Sequence, residues 1–182
     1  MPTALPTKID GVVLVAPDVH GDERGFFVET FSADLWAELG VGVDFVQHNH
    51  SRSARGTLRG IHFQTAPGQA KLIRCPRGRI LDVAVDLRRD SPTYRQWEGH
   101  VLDDVDHHQL FVPVGCGHGF AVLSEEADAA YLVSSLYDPA TEAGFAWDDP
   151  DIGVDWQVAE PLLSERDKTA PKLAEIADSL PW

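Results

Sequence analysis

The sequence has little cysteine, a shortage of positive charge and no long apolar run. Its 182 residues include 15 Lys and Arg against 29 Asp and Glu, a formal net charge of -14. A nucleic-acid binder needs a basic surface to displace counterions, and anionic lipid attracts basic segments, so this balance excludes both kinds of partner. No stretch approaches the ~18 consecutive apolar residues of a membrane-spanning helix. We therefore expect no nucleic-acid partner and no membrane partner.

The two cysteines, Cys75 and Cys116, belong to no CxxC or CxxH pair. Residues 1–10 lack a basic region followed by an apolar run, so no secretory signal is visible. Thiols in such a setting are typical of a reduced protein, in which they pack as small apolar side chains. These features predict free thiols and a cytoplasmic location.

The length predicts a single domain over residues 1–182, because most domains have about 100–200 residues. The 15 glycines and 12 prolines are spread along the chain, as turns between many short strands require. Residues 80–87 alternate between Leu or Val and Asp or Ala, which indicates a half-buried strand. Further strands are predicted at residues 12–15, 25–31, 109–114, 119–123 and 129–137.

Only two helices are predicted. Ser32 is placed to cap one that runs to Leu39 and ends at Gly40. The other lies at the C-terminus, where Thr169 is placed to cap and Pro171 to occupy the first turn, followed by an apolar stripe of Leu173, Ile176, Ala177 and Leu180. Many strands with a few short helices favour a mainly β fold, an antiparallel sandwich or a barrel such as a jelly roll.

Polar, ionisable side chains concentrate in two runs, residues 47–51 and 55–64, which hold three His, two Arg, two Gln and one Asn. Simple strand alternation puts Arg59 and His62 on opposite faces, and a bulge at Gly60 would bring them to the same face. A solvated turn with a structural histidine is the alternative interpretation. A third run, residues 113–120, sets three glycines around His118, for a close backbone approach or a tight turn.

A metal site is disfavoured by the spacing of the histidines. His48 and His50 would share a strand face, which keeps a weak metal site open, but His62 has no histidine two residues away. We therefore predict no metal. Tyr131 and Tyr137 would share a face if one strand ran through both, and such aromatic pairs are more often core than chemistry.

Eight short motifs, in this order, resemble those of the dTDP-4-dehydrorhamnose 3,5-epimerase family. They extend from the N-terminal part of the chain to the C-terminal helix and comprise DERGFFVE at 22–29, QHN at 47–49, LRGIHFQ at 58–64, QAK at 69–71, GHGF at 117–120, YDP at 137–139, WDDP at 147–150 and LSERD at 163–167. The resemblance implies a cupin-type jelly-roll barrel with a short N-terminal arm and a C-terminal helix. It also implies a homodimer without metal or other cofactor.

The implied activity is that of an isomerase of nucleotide-sugar biosynthesis. The family inverts C3 and C5 of dTDP-4-dehydro-6-deoxy-D-glucose, a dTDP-4-keto-6-deoxy sugar, and yields dTDP-4-dehydro-L-rhamnose. Both carbons flank the C4 ketone, so enolate resonance acidifies their protons. The reaction needs a base on one face of the sugar, an acid on the other, and a donor beside the C4 oxygen.

The resemblance assigns these roles to four residues. His62 is the implied base, with Asp167 as its hydrogen-bonding partner, Tyr131 is the implied acid, and Lys71 is the implied stabiliser of the enolate. The residues that it places on the substrate are Arg24, Phe26, Glu29, Gln47, Asn49, Arg59, His118, Tyr137, Glu142 and Arg166. We expect the basic members of these sets to converge at the barrel mouth as a diphosphate clamp.

Two positions depart from the family pattern: Arg166 stands where relatives often carry Lys, and Leu132 where many carry Lys. Alternatives to double epimerisation stay open at this point. They are a C3-only or C5-only epimerase of antibiotic deoxysugar biosynthesis, a cupin isomerase that moves the ketone, a non-catalytic cupin that binds a ligand, and a metal-dependent cupin dioxygenase.

Overall fold

Strands dominate the structure, as the spread of turn residues predicts. The computed structural model describes residues 1–182. The thirteen strands are, in chain order, β1 (Thr3–Leu5), β2 (Val13–Ala16), β3 (Val19–Asp22), β4 (Gly25–Val28), β5 (Gln47–Ala54), β6 (Leu58–Gln64), β7 (Lys71–Arg77), β8 (Arg79–Asp86), β9 (Trp97–Asp103), β10 (Gln109–Val112), β11 (Cys116–Val122), β12 (Glu126–Val133) and β13 (Glu142–Gly144). The helices are α1 (Ala33–Glu38), α2 (Glu165–Lys168) and α3 (Leu173–Ile176), followed by a 3-10 turn at Ala177–Ser179.

Two antiparallel sheets form the body of the fold. The six-stranded sheet has the order β1-β2-β10-β7-β12-β5 and the five-stranded sheet the order β13-β6-β11-β8-β9. A cluster of 15 buried apolar residues draws on both sheets and therefore fills the space between them, with Ile73 and Leu110 from one and Ile80 and Phe120 from the other. This sandwich is the antiparallel jelly roll that the sequence predicts.

The outer faces of both sheets are covered as well. Phe145, Trp156 and Leu173 pack on the five-stranded sheet, and Trp36 of α1 packs on the six-stranded sheet. The strand predicted at residues 80–87 is therefore confirmed as β8, but β8 is buried on both faces, so the prediction that it is half-buried is wrong. The aspartates read as its solvent face, Asp82 and Asp86, have no exposed surface.

The helices are shorter than predicted. Ser32 is the N-cap residue of α1 without a side-chain hydrogen bond, and Gly40 adopts a φ of 100° directly after the helix. The predicted C-terminal helix begins later than expected: Thr169 ends α2, and α3 begins after Lys172. There the Glu175 carboxylate accepts from the Lys172 N–H at 3.0 Å, and the Asp149 carboxylate accepts from the Leu173 N–H at 2.7 Å. None of the helices has the length and apolar character needed to span a bilayer.

A bulge in β6 brings Arg59 and His62 to the same face, as predicted. His62 pairs with His118 of β11 and Arg59 with Phe120, so two residues of β6, Gly60 and Ile61, oppose Gly119 alone. Gly60 makes the bulge possible because its φ is 131° and a Cβ there would lie 2.5 Å from the Gly119 Cα. The extra residue reverses the alternation that would otherwise separate the two side chains.

Strand β12 ends at Val133, four residues before Tyr137. The strand predicted at residues 129–137 thus ends earlier than expected and does not run through both tyrosines: Tyr131 lies in the strand, and Tyr137 lies in the loop before β13. Leu132 points to the opposite face from Tyr131 and packs on the cluster around Trp36. The single domain over residues 1–182 remains a prediction.

Candidate active site

A cavity of about 590 Å³ lies between the two sheets. Strands β6 and β11 supply one wall, β5, β7 and β12 supply the other, and the segment that leads into α2 closes one side. The predicted site residues that line it are Asn49, Arg59, His62, Lys71, His118, Tyr131, Tyr137, Glu142, Arg166 and Asp167. Motifs scattered over more than a hundred positions are thus brought together by the fold.

His62 and Asp167 form a hydrogen-bonded dyad on the five-stranded wall. The His62 Nε2 lies 2.6 Å from Oδ1 of Asp167, and the Ser164 hydroxyl donates to Oδ2 at 2.8 Å. Burial alone would raise the pKa of Asp167, but hydrogen bonds from His62 and Ser164 and the nearby Arg166 outweigh it, so the pKa is lowered. An ionised Asp167 accepts the Nε2–H of His62, which leaves the lone pair of Nδ1 free to take a proton.

Tyr131 lies on the opposite wall, on the six-stranded sheet. It pairs with Asn49 of β5. Burial raises the pKa of the Tyr131 phenol above its usual 10, although Arg59 and a hydrogen bond with Asn49 lower it in part. The hydroxyl is therefore protonated at neutral pH and available as a donor. The cavity therefore has a base, His62, on one wall and an acid, Tyr131, on the opposite wall.

Lys71 lies at the start of β7 and is 8% exposed. Its Nζ donates a 3.4 Å hydrogen bond to the His62 carbonyl oxygen. Burial lowers the pKa of Lys71 to about 8, while Asp82 and Glu142 oppose that decrease and Arg166 adds to it. The ammonium remains the main form at neutral pH, close to the dyad and in the same cavity.

His118 lies directly opposite His62 in the pairing of β11 with β6. Its Nε2 is 3.0 Å from both carboxylate oxygens of Asp82, a residue with no exposed surface. Burial lowers the pKa of His118, although Asp82 raises it in part and Lys71 lowers it further. The imidazole is therefore neutral at pH 7, and its Nε2–H donates to Asp82.

Charged side chains surround the outer part of the cavity. The NH1 of Arg166 lies 2.6 Å from Oε2 of Glu142, and the Tyr137 hydroxyl donates to the same oxygen at 2.9 Å. Arg59 is exposed and donates to the Ser53 hydroxyl at 3.2 Å. Two guanidinium groups with donors to spare, next to an exposed aromatic ring, suit a ligand that is anionic at one end and planar at the other.

Four predicted site residues lie outside the cavity of their own chain. Gln47 is just beyond it, where its Nε2 donates to Asn49 at 2.8 Å and its Oε1 accepts from the Tyr137 N–H at 3.1 Å. The other three belong to or follow the β3–β4 hairpin, and all are exposed: Arg24, Phe26 and Glu29. The expectation that Arg24 converges with Arg59, Lys71 and Arg166 is therefore not met within one chain.

The weak metal site at His48 and His50 does not form. The two side chains share a face, as predicted, but it is the outer face of an edge strand, and His50 bonds Asp128 at 3.2 Å. No group of three or more His, Cys, Asp or Glu side chains in residues 1–182 is arranged to hold a metal ion. Cys75 and Cys116 are free and buried, and burial raises the pKa of each thiol to about 12.

Sequence reasoning missed several residues of the site. Asp82, whose place in the alternating pattern predicts a solvent face, instead lies buried behind the cavity wall, where it bonds His118. Gln69 lines the cavity and donates to Gln64 at 2.7 Å, a contact that no short motif spacing indicates. Ser51 and Thr57 also line the cavity.

The fold and the site define a class of protein: a jelly roll whose intersheet cavity sets a histidine–aspartate dyad opposite a tyrosine, with a lysine beside the dyad. Residues 6–175 match the family model described as dTDP-4-dehydrorhamnose 3,5-epimerase. The chain belongs to the dTDP-4-dehydrorhamnose 3,5-epimerase family.

Individual relatives agree with this membership. The dTDP-4-dehydrorhamnose 3,5-epimerase of Methanothermobacter thermautotrophicus is 46% identical over 174 residues, 94% of each chain. A dTDP-4-dehydrorhamnose 3-epimerase of Streptomyces niveus is 47% identical over 176 residues, 96% of this chain and 85% of that one. Among solved structures, a 3,5-epimerase of Legionella pneumophila in complex with dTDP-4-keto-L-rhamnose has a TM-score of 0.96 and 41% identity, and covers 100% of this chain and 98% of its own.

Proposed function

We propose that this protein inverts C3 and C5 of dTDP-4-dehydro-6-deoxy-D-glucose and so produces dTDP-4-dehydro-L-rhamnose. The observation that carries the proposal is the placement of His62 and Tyr131 on opposite walls of one cavity, with Lys71 beside the dyad. Inversion at carbon requires removal of a proton from one face and delivery of another to the opposite face, and these two groups are placed for that exchange.

Each inversion follows the same steps. The Nδ1 of His62 takes the proton from the carbon next to the ketone, and the electron pair of the C–H bond moves into the enolate. The Lys71 ammonium stabilises the negative charge on the C4 oxygen, where a cation in a partly buried cavity is most effective. The Tyr131 hydroxyl then gives its proton to the other face of the same carbon, and the C4 ketone forms again. Solvent afterwards removes the proton from His62 and restores that of Tyr131.

Asp167 makes His62 a competent base. Its carboxylate accepts the Nε2–H and holds the imidazole in the tautomer whose Nδ1 is free, and it stabilises the imidazolium that forms. Ser164 fixes the carboxylate through the second oxygen. No step requires a metal or an organic cofactor, which remains a prediction.

The outer part of the cavity suits the dTDP group. Arg59 and Arg166 are placed to bind the diphosphate, because a planar guanidinium offers paired donors to phosphate oxygens. Tyr137 is 54% exposed and offers a ring face to the sugar or to thymine. We assign Asn49, His118 and Glu142, together with Gln47 just beyond the cavity, to the sugar and nucleoside hydroxyls.

A homodimer accounts for three of the four predicted site residues that lie outside the cavity, those of the β3–β4 hairpin and the residue after it. The β3–β4 hairpin forms a separate two-stranded sheet, and Phe26 and Phe27 on it are 61% and 70% exposed. Exposed apolar side chains of this size typically mark a protein contact. We infer that the hairpin reaches the cavity of a second subunit, where Arg24, Phe26 and Glu29 join the substrate. A cytoplasmic location, in keeping with the two free thiols, is also part of the proposal.

The decisive experiment is proton NMR of the reaction with dTDP-4-dehydro-6-deoxyglucose in heavy water. Double epimerisation predicts deuterium at both C3 and C5 of the inverted product. A non-catalytic cupin would leave both carbons protonated, and an isomerase that moves the ketone would give a product whose carbonyl carbon is no longer C4. Inversion at neither carbon, or at only one of them, would overturn the proposal.

A C3-only epimerase is the second candidate. It is favoured by the Streptomyces niveus relative, which is described as a 3-epimerase and is as similar to this chain as the 3,5-epimerases. Such an enzyme needs the same base, acid and lysine, so the difference lies in how the sugar ring sits in the cavity. The same NMR spectrum decides, because a C3-only epimerase places deuterium at C3 of the product and leaves C5 protonated.

A further inference from the structure

Asp82 is a buried carboxylate to which the proposed mechanism assigns no role. It lies in the middle of β8, has no exposed surface, and points between the sheets among the apolar residues of the core. Its hydrogen-bond partner is the His118 Nε2, at 3.0 Å from each oxygen. Burial of a carboxylate costs several kcal/mol unless charge and hydrogen bonds compensate, so a purely apolar residue would serve packing alone at least as well.

The groups that offset the cost of burying Asp82 lie at the inner end of the cavity. His118 lies between Asp82 and the cavity, and Lys71 reaches the same region from the other sheet. Lys71 and His118 are both almost completely buried, at 8% and 7% exposed. The charged and titratable groups that face Lys71 are Asp82 on β8, Glu142 on β13, Arg166 on α2, and His62 and His118 on β6 and β11.

We propose that Asp82 is a positioning residue that holds His118 in one tautomer and supplies the negative charge that keeps the Lys71 ammonium protonated beneath the substrate. The proposal rests on the proposed function of Lys71. Asp82 and Glu142 are the two carboxylates that raise the pKa of Lys71, and Glu142 is already paired with Arg166 at 2.6 Å. Asp82 is therefore the carboxylate left to balance the lysine. This agrees with its effect on the Lys71 pKa, which it raises against the effect of burial.

The tautomer follows from the same contact. A carboxylate beside Nε2 accepts a hydrogen bond, so the proton of neutral His118 lies on Nε2 and the lone pair on Nδ1. His118 thus presents an acceptor to the cavity, suited to a sugar hydroxyl or to an ammonium hydrogen. Without the Asp82 carboxylate, no acceptor would stabilise the tautomer of His118 that carries its proton on Nε2.

The test is the pH dependence of kcat/KM for epimerisation between pH 6 and 9.5. In the wild type we expect kcat/KM to fall as pH rises through about 8, the value to which burial lowers the pKa of Lys71. Asp82→Asn keeps the shape of the side chain but removes its charge, so the ammonium is less stable and the alkaline limb moves to lower pH, by about one unit or more. In a Lys71→Arg background the guanidinium stays protonated, and Asp82→Asn moves no limb.

Asp86→Asn is the matched control. Asp86 is on the same face of β8, has no exposed surface, and bonds Arg88, Ser91 and Thr93 instead of His118. We expect this variant to lose thermal stability and to keep the alkaline limb of the wild type. An Asp82→Asn enzyme that is folded, by circular dichroism, but loses rate equally at all pH values would show a structural role only and overturn the proposal.

A second measurement covers the case in which Asp82→Asn does not fold. Nitrogen-15 NMR of histidine-labelled wild-type protein reports the tautomer of His118 directly. The proposal requires a neutral ring with its proton on Nε2 at pH 7, and a proton on Nδ1 instead would overturn it. This spectrum needs no substrate, so it is independent of the proposed function, whose failure would show as a wild-type protein without epimerase activity.

Discussion

His62 and Asp167 are joined by a 2.6 Å hydrogen bond although 105 residues separate them in the chain. The contact depends on two features of the fold. The bulge at Gly60 turns His62 towards the cavity, and the short helix α2, whose N-cap Ser164 also bonds the carboxylate, carries Asp167 to the same place. The dyad therefore joins the five-stranded sheet to the C-terminal segment.

Loss of the Asp167 carboxylate should disable the base. In Asp167→Asn the amide no longer stabilises the imidazolium or enforces the Nε2–H tautomer, so we expect deuterium exchange at C3 and C5 to slow by about 100-fold or more. His62→Ala should abolish exchange at both carbons. NMR in heavy water measures both variants. Asp148→Asn, an exposed aspartate in a nearby loop, serves as the control, and wild-type exchange in Asp167→Asn would contradict the role of the dyad.

Loss of the Tyr131 hydroxyl should separate exchange from inversion. In Tyr131→Phe, His62 still removes a proton and returns deuterium to the same face, so the starting sugar gains deuterium. Delivery to the opposite face is lost, and we expect the inverted product to fall by about 100-fold. Proton NMR in heavy water measures both quantities, because it reports deuterium incorporation and the configuration at C3 and at C5. Tyr94→Phe, outside the cavity, is the control; inversion at the wild-type rate in Tyr131→Phe would remove Tyr131 from the mechanism.

The sequence allowed the sheet architecture and most of the cavity to be predicted, for two different reasons. Strand positions followed from local alternation and turn residues, as for β8 and β11. The cavity residues followed from the family resemblance, since no local pattern places Lys71 and Asp167 beside His62. The bulge at Gly60 could be predicted for two reasons. Alternation alone would have left Arg59 and His62 on opposite faces, and glycine is the residue that tolerates the required φ.

The errors had a common cause, which is that burial depends on distant parts of the chain. Asp82 alternates with apolar residues as a solvent-facing residue would, but the six-stranded sheet covers that face, and the C-terminal segment covers the other. The start of α3 likewise depends in part on Asp149, a partner 24 residues away from Leu173, and not on the cap predicted at Thr169. Arg24 and Phe26 were assigned to the cavity by resemblance alone, and the hairpin that carries them lies outside the cavity of its own chain.

Mixed dimers should reveal which cavity the hairpin serves. We expect Arg24→Glu and His62→Ala homodimers each to be inactive or nearly so. In the heterodimer, one cavity combines an intact His62 from the first subunit with an intact Arg24 from the second. Mixing the two variants under conditions of subunit exchange should therefore restore activity, towards about a quarter of the wild type per subunit if exchange is complete. Light scattering establishes the dimer beforehand.

The opposite outcome is equally clear. If each hairpin served its own cavity, every subunit would carry one lesion in its own site, and mixing would restore nothing. Arg55→Glu is the control for the introduced charge reversal, because Arg55 is exposed, lies outside the cavity and pairs only with Glu125 at the surface. A monomer in light scattering would contradict the dimer itself.

A methyl group at Gly60 should damage both the fold and the site. In Gly60→Ala the Cβ would lie 2.5 Å from the Gly119 Cα and 2.9 Å from the His118 carbonyl oxygen, and the φ of 131° is unfavourable for any L side chain. Because both neighbours are backbone atoms, β6 and β11 must move apart, at a cost of about 1–3 kcal/mol. We expect a Tm lower by about 3–10 °C and a lower kcat, since Arg59 and His62 flank the bulge.

Gly42→Ala is the matched control: its Cβ meets nothing within 4 Å, so its Tm and its kcat should stay at the wild-type values. A Gly60→Ala protein that matched Gly42→Ala in both measurements would contradict the requirement for glycine in the bulge.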